Sequence, residues 1–280
     1  MNRNRLNLIL LAAVLVLGLV AFLQPGLEEE KPPKPPLTTL DPEHIQRIEI
    51  QRPRQDPVVL RRQEGHWQLR LDERWLPANT WRIRQLLELA RSPSEARFPA
   101  PAELAQYGLA EPRIRLRFDT LTLLFGDSEP LTHRRYVQQG DTVHLIDDRY
   151  YIHLVAADTD YLRLTPLPAQ ARIEVLELPD GQRLQRTEDG DWQLQPPRDI
   201  SQDSINRLLD HWRQAQAMQV SRHAPGEDRI RLQLDDGRWL GFDQAEGEGE
   251  WLLIRNDLGL AYHFPPDTRA RLTRLDNDDA

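Results

Sequence analysis

Cysteine is absent from all 280 residues. That removes disulfides, thiolate nucleophiles, cysteine-ligated zinc, iron–sulfur clusters and the lipid-bearing cysteine of a bacterial lipoprotein. Lysine is nearly absent too, occurring only as Lys31 and Lys34 against abundant arginine, a bias read as codon usage. A surplus of positive charge is also lacking. The net charge is -8, and Arg3 and Arg5 stand ahead of an apolar stretch, so the rest of the chain is more acidic still. Without clustered cations to displace counterions, no nucleic-acid partner is expected. Phosphate loops of the GxxxxGK[ST] and GxGxxG types do not occur. Gly247-x-Gly249 lies in an acidic loop that repels phosphate. GxSxG and SxxK are missing, and Ser128, between Asp127 and Glu129-Pro130, reads as a turn residue.

Long apolar runs are confined to one place. Residues 6–23 hold a single polar member, Asn7. At 1.5 Å per helical residue they cover roughly 27 Å, about the hydrocarbon thickness of a bilayer. Arg3 and Arg5 precede the run and Glu28, Glu29 and Glu30 follow it. The positive-inside rule therefore predicts a cytoplasmic N-terminus at residues 1–5, a single-pass anchor at 6–23 in the inner membrane, and a periplasmic body. A cleaved signal peptide is the rival, but Val20 to Pro25 offers no small-residue cleavage site. Residues 24–40 carry five prolines by Pro36 among charges and predict a semi-rigid spacer.

The body repeats itself. Arg47-Ile48-Glu49-Ile50 matches Arg172-Ile173-Glu174-Val175, and Trp67-Gln68-Leu69 matches Trp192-Gln193-Leu194, both 125 residues apart. Ile83, Leu86, Leu87 and Ala90 fall at i, i+3, i+4, i+7, as do Ile205, Leu208, Leu209 and Trp212. Each set makes one apolar helix face, with Asn79 and Ser201 as N-caps. Alternating strands then start at Ile114 and Ile230, apolar on one side and polar on the other. The fold class expected is α+β: two tandem repeats, 41–165 and 166–275, before an acidic tail at 276–280. Each repeat would be an antiparallel sheet covered by an amphipathic helix, read as three strands, a helix, about four strands and a short closing helix. Trp67 and Trp192 predict equivalent packing anchors rather than a cofactor platform.

Little in the body suggests chemistry. His133, His144 and His153 cluster near Asp147 and Asp148 without HExxH or tight metal spacing. His133 and His144 on neighbouring strands would give at most a two-ligand site; half-exposed strand histidines are the preferred reading. Asp189-Gly190-Asp191 and Asp235-Asp236-Gly237 lack the rest of a calcium loop and read as turns. No catalytic, cofactor-binding or metal-binding residue and no cofactor is assigned.

An N-terminal apolar helix, an I-x-I strand, Trp67-Gln68-Leu69, Pro77-Ala78-Asn79, then Tyr107-Gly108-Leu109 with Pro112 and the strand at Ile114 together resemble the bacterial DUF4340 family. The Tyr-Gly-Leu-x-x-Pro piece is the most specific. Gly108 would end a short helix over 101–106 in the left-handed conformation, and Pro112 would prevent its continuation. The second repeat lacks this piece, reading Ser221 to Glu227 instead. The resemblance implies no established activity. It implies association with ABC-type transport systems similar to those linked to gliding motility.

The expected function is therefore a non-enzymatic, membrane-anchored accessory or scaffold protein. Its partner would be an inner-membrane or envelope protein such as an ABC transporter permease subunit, with membrane attachment through residues 6–23. A glycan- or peptide-binding module is the alternative, favoured if Trp75, Trp81 or Trp239 line a groove. An unrecognised hydrolase is the third reading and requires a deep pocket with convergent polar groups.

Overall fold

A computed structural model describes residues 11–16, 18–19 and 34–275. Most of the expected anchor, the spacer up to residue 33 and the tail lie outside these residues. Residues 11–16 and 18–19 are helical, with Leu11, Val14, Leu15, Val16 and Leu19 exposed. Among the described residues no helix is long and apolar enough to cross a membrane.

Alternation of apolar and charged residues produces strands with one dry face, as in Ile114-Arg115-Leu116-Arg117-Phe118, where the apolar members are buried and the arginines exposed. The first sheet has nine strands: β1 (Arg47–Gln51), β2 (Val58–Gln63), β3 (His66–Leu71), β4 (Arg74–Pro77), β5 (Ala96–Pro99), β6 (Ile114–Phe118), β7 (Leu121–Ser128), β8 (Arg135–Gln139) and β9 (Thr142–Ile146). Their order is β4-β3-β2-β1-β6-β7-β8-β9-β5, antiparallel throughout. Helix α1 (Thr80–Ala90) carries the chain from one edge of this sheet to the other, and α2 (Tyr151–Leu154) follows β9. The second sheet comprises β10 (Ile173–Glu177), β11 (Arg183–Arg186), β12 (Trp192–Gln195), β13 (Gln219–Arg222), β14 (Ile230–Leu234), β15 (Trp239–Gly247), β16 (Glu250–Arg255) and β17 (Leu260–Phe264). Its order, β12-β11-β10-β14-β15-β16-β17-β13, is that of the first sheet without β4. Helix α3 (Gln202–Gln214) makes the same crossing, and α4 (Thr268–Thr273) follows β17.

Both helices start where expected. Asn79 Oδ1 accepts from the amides of Trp81 and Arg82, and Ser201 Oγ accepts from Ser204 N. Ile205, Leu208, Leu209 and Trp212 are all buried. In α1 the buried set is Ile83, Leu86, Leu89 and Ala90; Leu87 is only half-buried, so the face is rotated slightly from the expected one. Trp67 and Trp192 are both half-buried against the core.

Three strands were not legible in the pattern. Arg74–Pro77 forms β4 because Asp72-Glu73 closes a two-residue turn, with Asp72 at φ 47°. Strands β5 and β13 are four residues each, too short to display a period. The last residues of the expected spacer also belong to the body. Leu37 N donates to Ser92 O and Thr38 Oγ1 to Ala90 O, and both side chains are buried.

Candidate functional site

The two sheets meet along residues 161–164. On one side, Asn79 N donates to Tyr161 O and Arg163 N to Pro77 O; on the other, Ala217 N donates to Leu164 O. One stretch of backbone is thus hydrogen-bonded to the end of β4 in the first sheet and to the link into β13 of the second. Arg222 adds Asp158 at 2.7 Å and Asp72 at 3.2 Å, and Arg74 Nη1 reaches Asp257 O at 2.7 Å. One hydrophobic core runs through both sheets and the seam.

A cleft of about 330 Å³ opens at this seam, walled by Leu76, Leu162, Leu258 and Leu260 with Arg163, Arg255 and Tyr262 among them. Arg255 grips both oxygens of Asp257 at 2.9 and 3.0 Å and donates to Pro166 O. Arg163 donates from Nη2 to Leu167 O, while its Nε is buried with no partner. Burial holds the Arg163 guanidinium below its ordinary value and pushes the Tyr262 phenol up. Larger grooves lie elsewhere and are lined by arginine. One, of about 510 Å³, runs between β12 and α3 beside Arg172, Arg186 and Arg213. Another, of about 600 Å³, holds Arg198, Arg229, Arg269 and Arg274.

One constellation has catalytic stereochemistry. Ser221 Oγ lies 2.7 Å from His263 Nε2, and His263 Nδ1 lies 2.9 Å from Glu250 Oε1. The register explains the contact: Ser221 pairs with Ala261 and His263 with Leu252, so Ser221 and Glu250 are diagonal neighbours of His263 on one sheet face. Sequence reasoning missed it because the three residues come from three strands. A serine nucleophile also needs donors aimed at the developing oxyanion and a cleft for the acyl group. Ser221 sits inside a paired strand, and none of the three residues lines the cavities of about 330 to 600 Å³.

The three histidines of the metal reading are separated. His133 occupies a turn at φ 54°, His153 stands in α2 edge-on to Trp81, and His144 is buried in β9 with Nδ1 2.9 Å from Ser94 Oγ. Ser94 Oγ already donates to Ala96 O, so Nδ1 carries the proton and donates to the hydroxyl. That polarity is opposite to nucleophile activation. Among the described residues, no group of three or more His, Asp or Glu is placed to hold a metal ion.

The Tyr-Gly-Leu-x-x-Pro piece is built into this frame. Gly108 caps the short turn Ala105–Tyr107 at φ 66°. The description "Domain of unknown function (DUF4340)" matches residues 88–236, from the last turn of α1 across the seam to the turn after β14. The chain belongs to the DUF4340 family. No curated protein and no solved structure matches it.

In this DUF4340 chain the tryptophans favoured for ligand stacking do not line the grooves. Trp81 is 55% exposed on α1 and Trp239 is 38% exposed beneath the Arg231 guanidinium at 4.6 Å. Trp75 lies beneath Arg61 at 3.8 Å. Sugar platforms need aromatic faces set along one groove.

Proposed function

We propose that this DUF4340 protein is a non-enzymatic accessory subunit, anchored in the inner membrane by residues 6–23 with its N-terminus in the cytoplasm. Residues 41–165 and 166–275 are two copies of one α+β unit, and the periplasmic body they form docks on another envelope protein. A permease subunit of an ABC-type transport system is the partner class implied by family resemblance. The observation that carries this reading is the seam. Backbone shared by both sheets holds them as one body that presents broad, arginine-lined grooves and strand edges. Such surfaces suit a polar, protein-sized partner more than a small apolar ligand. Purification of the full chain from detergent-solubilised membranes is expected to recover one stoichiometric membrane partner, and carbonate washing to leave the chain in the membrane pellet. A chain that purifies alone or washes off overturns the proposal.

Hydrolysis is the second reading, favoured only by the Ser221–His263–Glu250 chain. Here it is taken as a structural hydrogen-bond chain on a sheet face. A fluorophosphonate probe is expected to label wild type no more than Ser221→Ala. Stoichiometric labelling that the substitution abolishes would establish a serine hydrolase instead.

A further inference from the structure

A sheet edge exposes unpaired amides and carbonyls, and folded proteins usually cover it. Three of the four terminal strands here are met by other backbone at, or just before, one end. Arg163 N donates to Pro77 O at the end of β4, Ala217 N donates to Leu164 O beside β13, and Ser94 N donates to Pro35 O at the start of β5. Among the described residues, β12 is the terminal strand with no such contact at either end, although Arg97 of β5 and Val220 of β13 also make no outer backbone bond.

The first sheet shows what belongs there. Trp67 and Leu69 of β3 correspond to Trp192 and Leu194 of β12. In the first sheet Trp67 O accepts from Ala78 N, and Leu69 pairs with Leu76 of β4. In the second sheet the chain leaves β12 through Pro196-Pro197, which have no ladder amide to give, and no fourth strand forms. Thr187 N donates to Asp191 O, which sets the alternation so that the amides and carbonyls of Trp192 and Leu194 point away from β11. A side chain stands in for part of the missing strand: Gln202 Nε2 donates to Trp192 O at 3.1 Å. Leu194 has no such substitute.

The groove beside this edge is cationic. Arg172, Arg186 and Arg213 line it against one carboxylate, Asp191. The pairs that Arg186 makes with Glu174 and Arg213 makes with Asp210 are solvent-exposed, so an incoming carboxylate competes with them at little cost.

We infer that β12 is the docking edge: an extended, acidic segment of a partner protein adds to it as an antiparallel strand in the place that β4 holds in the first sheet. Its main chain pairs with Trp192 and Leu194, displacing the Gln202 amide, and its alternate acidic side chains enter the arginine groove. This rests on the reading of the chain as a docking subunit and names the surface and the chemistry that surface takes.

The test titrates the detergent-solubilised full chain with two eight-residue peptides, one alternating glutamate with valine and one alternating lysine with valine, and follows backbone amide resonances. The glutamate peptide is expected to shift the Trp192 and Leu194 amides and to bind at least tenfold more tightly than the lysine peptide. Gln202→Ala is expected to tighten it several-fold by removing the competing amide, and Arg186→Glu with Arg213→Glu to weaken it at least tenfold. Equal affinity for the two peptides, shifts confined to other strands, or weaker binding by Gln202→Ala overturns the inference. So does concentration-dependent dimerisation of Gln202→Ala, which makes a second copy the occupant. Tighter binding after replacing Glu28, Glu29 and Glu30 by serine makes the chain's own spacer the occupant and equally overturns it. If the double arginine variant still recovers the membrane partner, the β12 assignment fails while the docking-subunit reading stands. If wild type recovers no partner, that reading fails and the peptides alone decide the edge.

Discussion

Histidine protonation is where single residues of this body meet the solvent conditions. Burial holds His144 below its ordinary value, with Arg97 adding to the effect; burial does the same to His153, where Arg82 adds and Glu88 opposes. Both rings therefore take up a proton less readily in the folded chain than in the unfolded one, and the unfolded chain binds more protons once pH falls below about 6.5. Stability from these groups is complete above that pH and is lost as pH drops through the window down to the folded values. Urea denaturation at pH 7.5 and 5.5 is expected to show a clear loss at the lower pH, and His144→Asn with His153→Asn to shrink it. An unchanged loss in the double variant would show that other groups set the slope. The sequence placed these histidines close together in number, but whether a ring faces solvent or core depends on strand parity for His144 and on helix packing for His153. Likewise Ser221, Glu250 and His263 carry no local spacing that announces their contact.

Among elements, the most informative is the Tyr-Gly-Leu-x-x-Pro piece. Its Gly108 cap was readable because a left-handed residue after a short helix favours glycine. What the piece docks against was not readable. A Cβ on Gly108 would sit 2.6 Å from Asp127 Cγ, and a Cβ on Gly126 would sit 2.1 Å from Tyr107 O. The turn therefore lies directly on the irregular stretch of β7 between Phe125 and Ser128, tied further by Arg113 Nε to Asp127 at 2.7 Å. Gly126→Ala is expected to cost more than ~2 kcal/mol, because backbone must move. Gly140→Ala, at φ 54° with nothing near its added Cβ, is expected to cost about 1 kcal/mol from conformation alone. Urea midpoints of the two variants decide this, and equal losses would refute the docking role of Gly126. The helices α1 and α3 were legible through caps and period, whereas β5 and β13 were not, since four residues hold too little period to separate a strand from a loop.

At the scale of the whole molecule, the seam predicts cooperativity. The core is continuous across residues 161–164, and both sheets share hydrogen bonds to that stretch. Unfolding is expected as one transition. Fluorine-labelled tryptophan signals from Trp75 in the first sheet and Trp212 in α3, on the second, should vanish over the same urea range. Two separated midpoints would mean that each sheet stands alone. The sequence by itself determined the α+β class, the two helices with their caps, the wet-and-dry alternation of the central strands and the correspondence between the halves. The first three are set by spacing within a few residues of one another, and the last by motifs repeated 125 residues apart. Only the tertiary structure decided the strand order, the ninth strand that the second sheet lacks, the Ser221–His263–Glu250 contact and the join at residues 161–164. Those depend on register and packing between separate segments, from 13 residues apart for Glu250 and His263 to 86 for Pro77 and Arg163, and local periodicity carries no information about which distant edge a segment will meet.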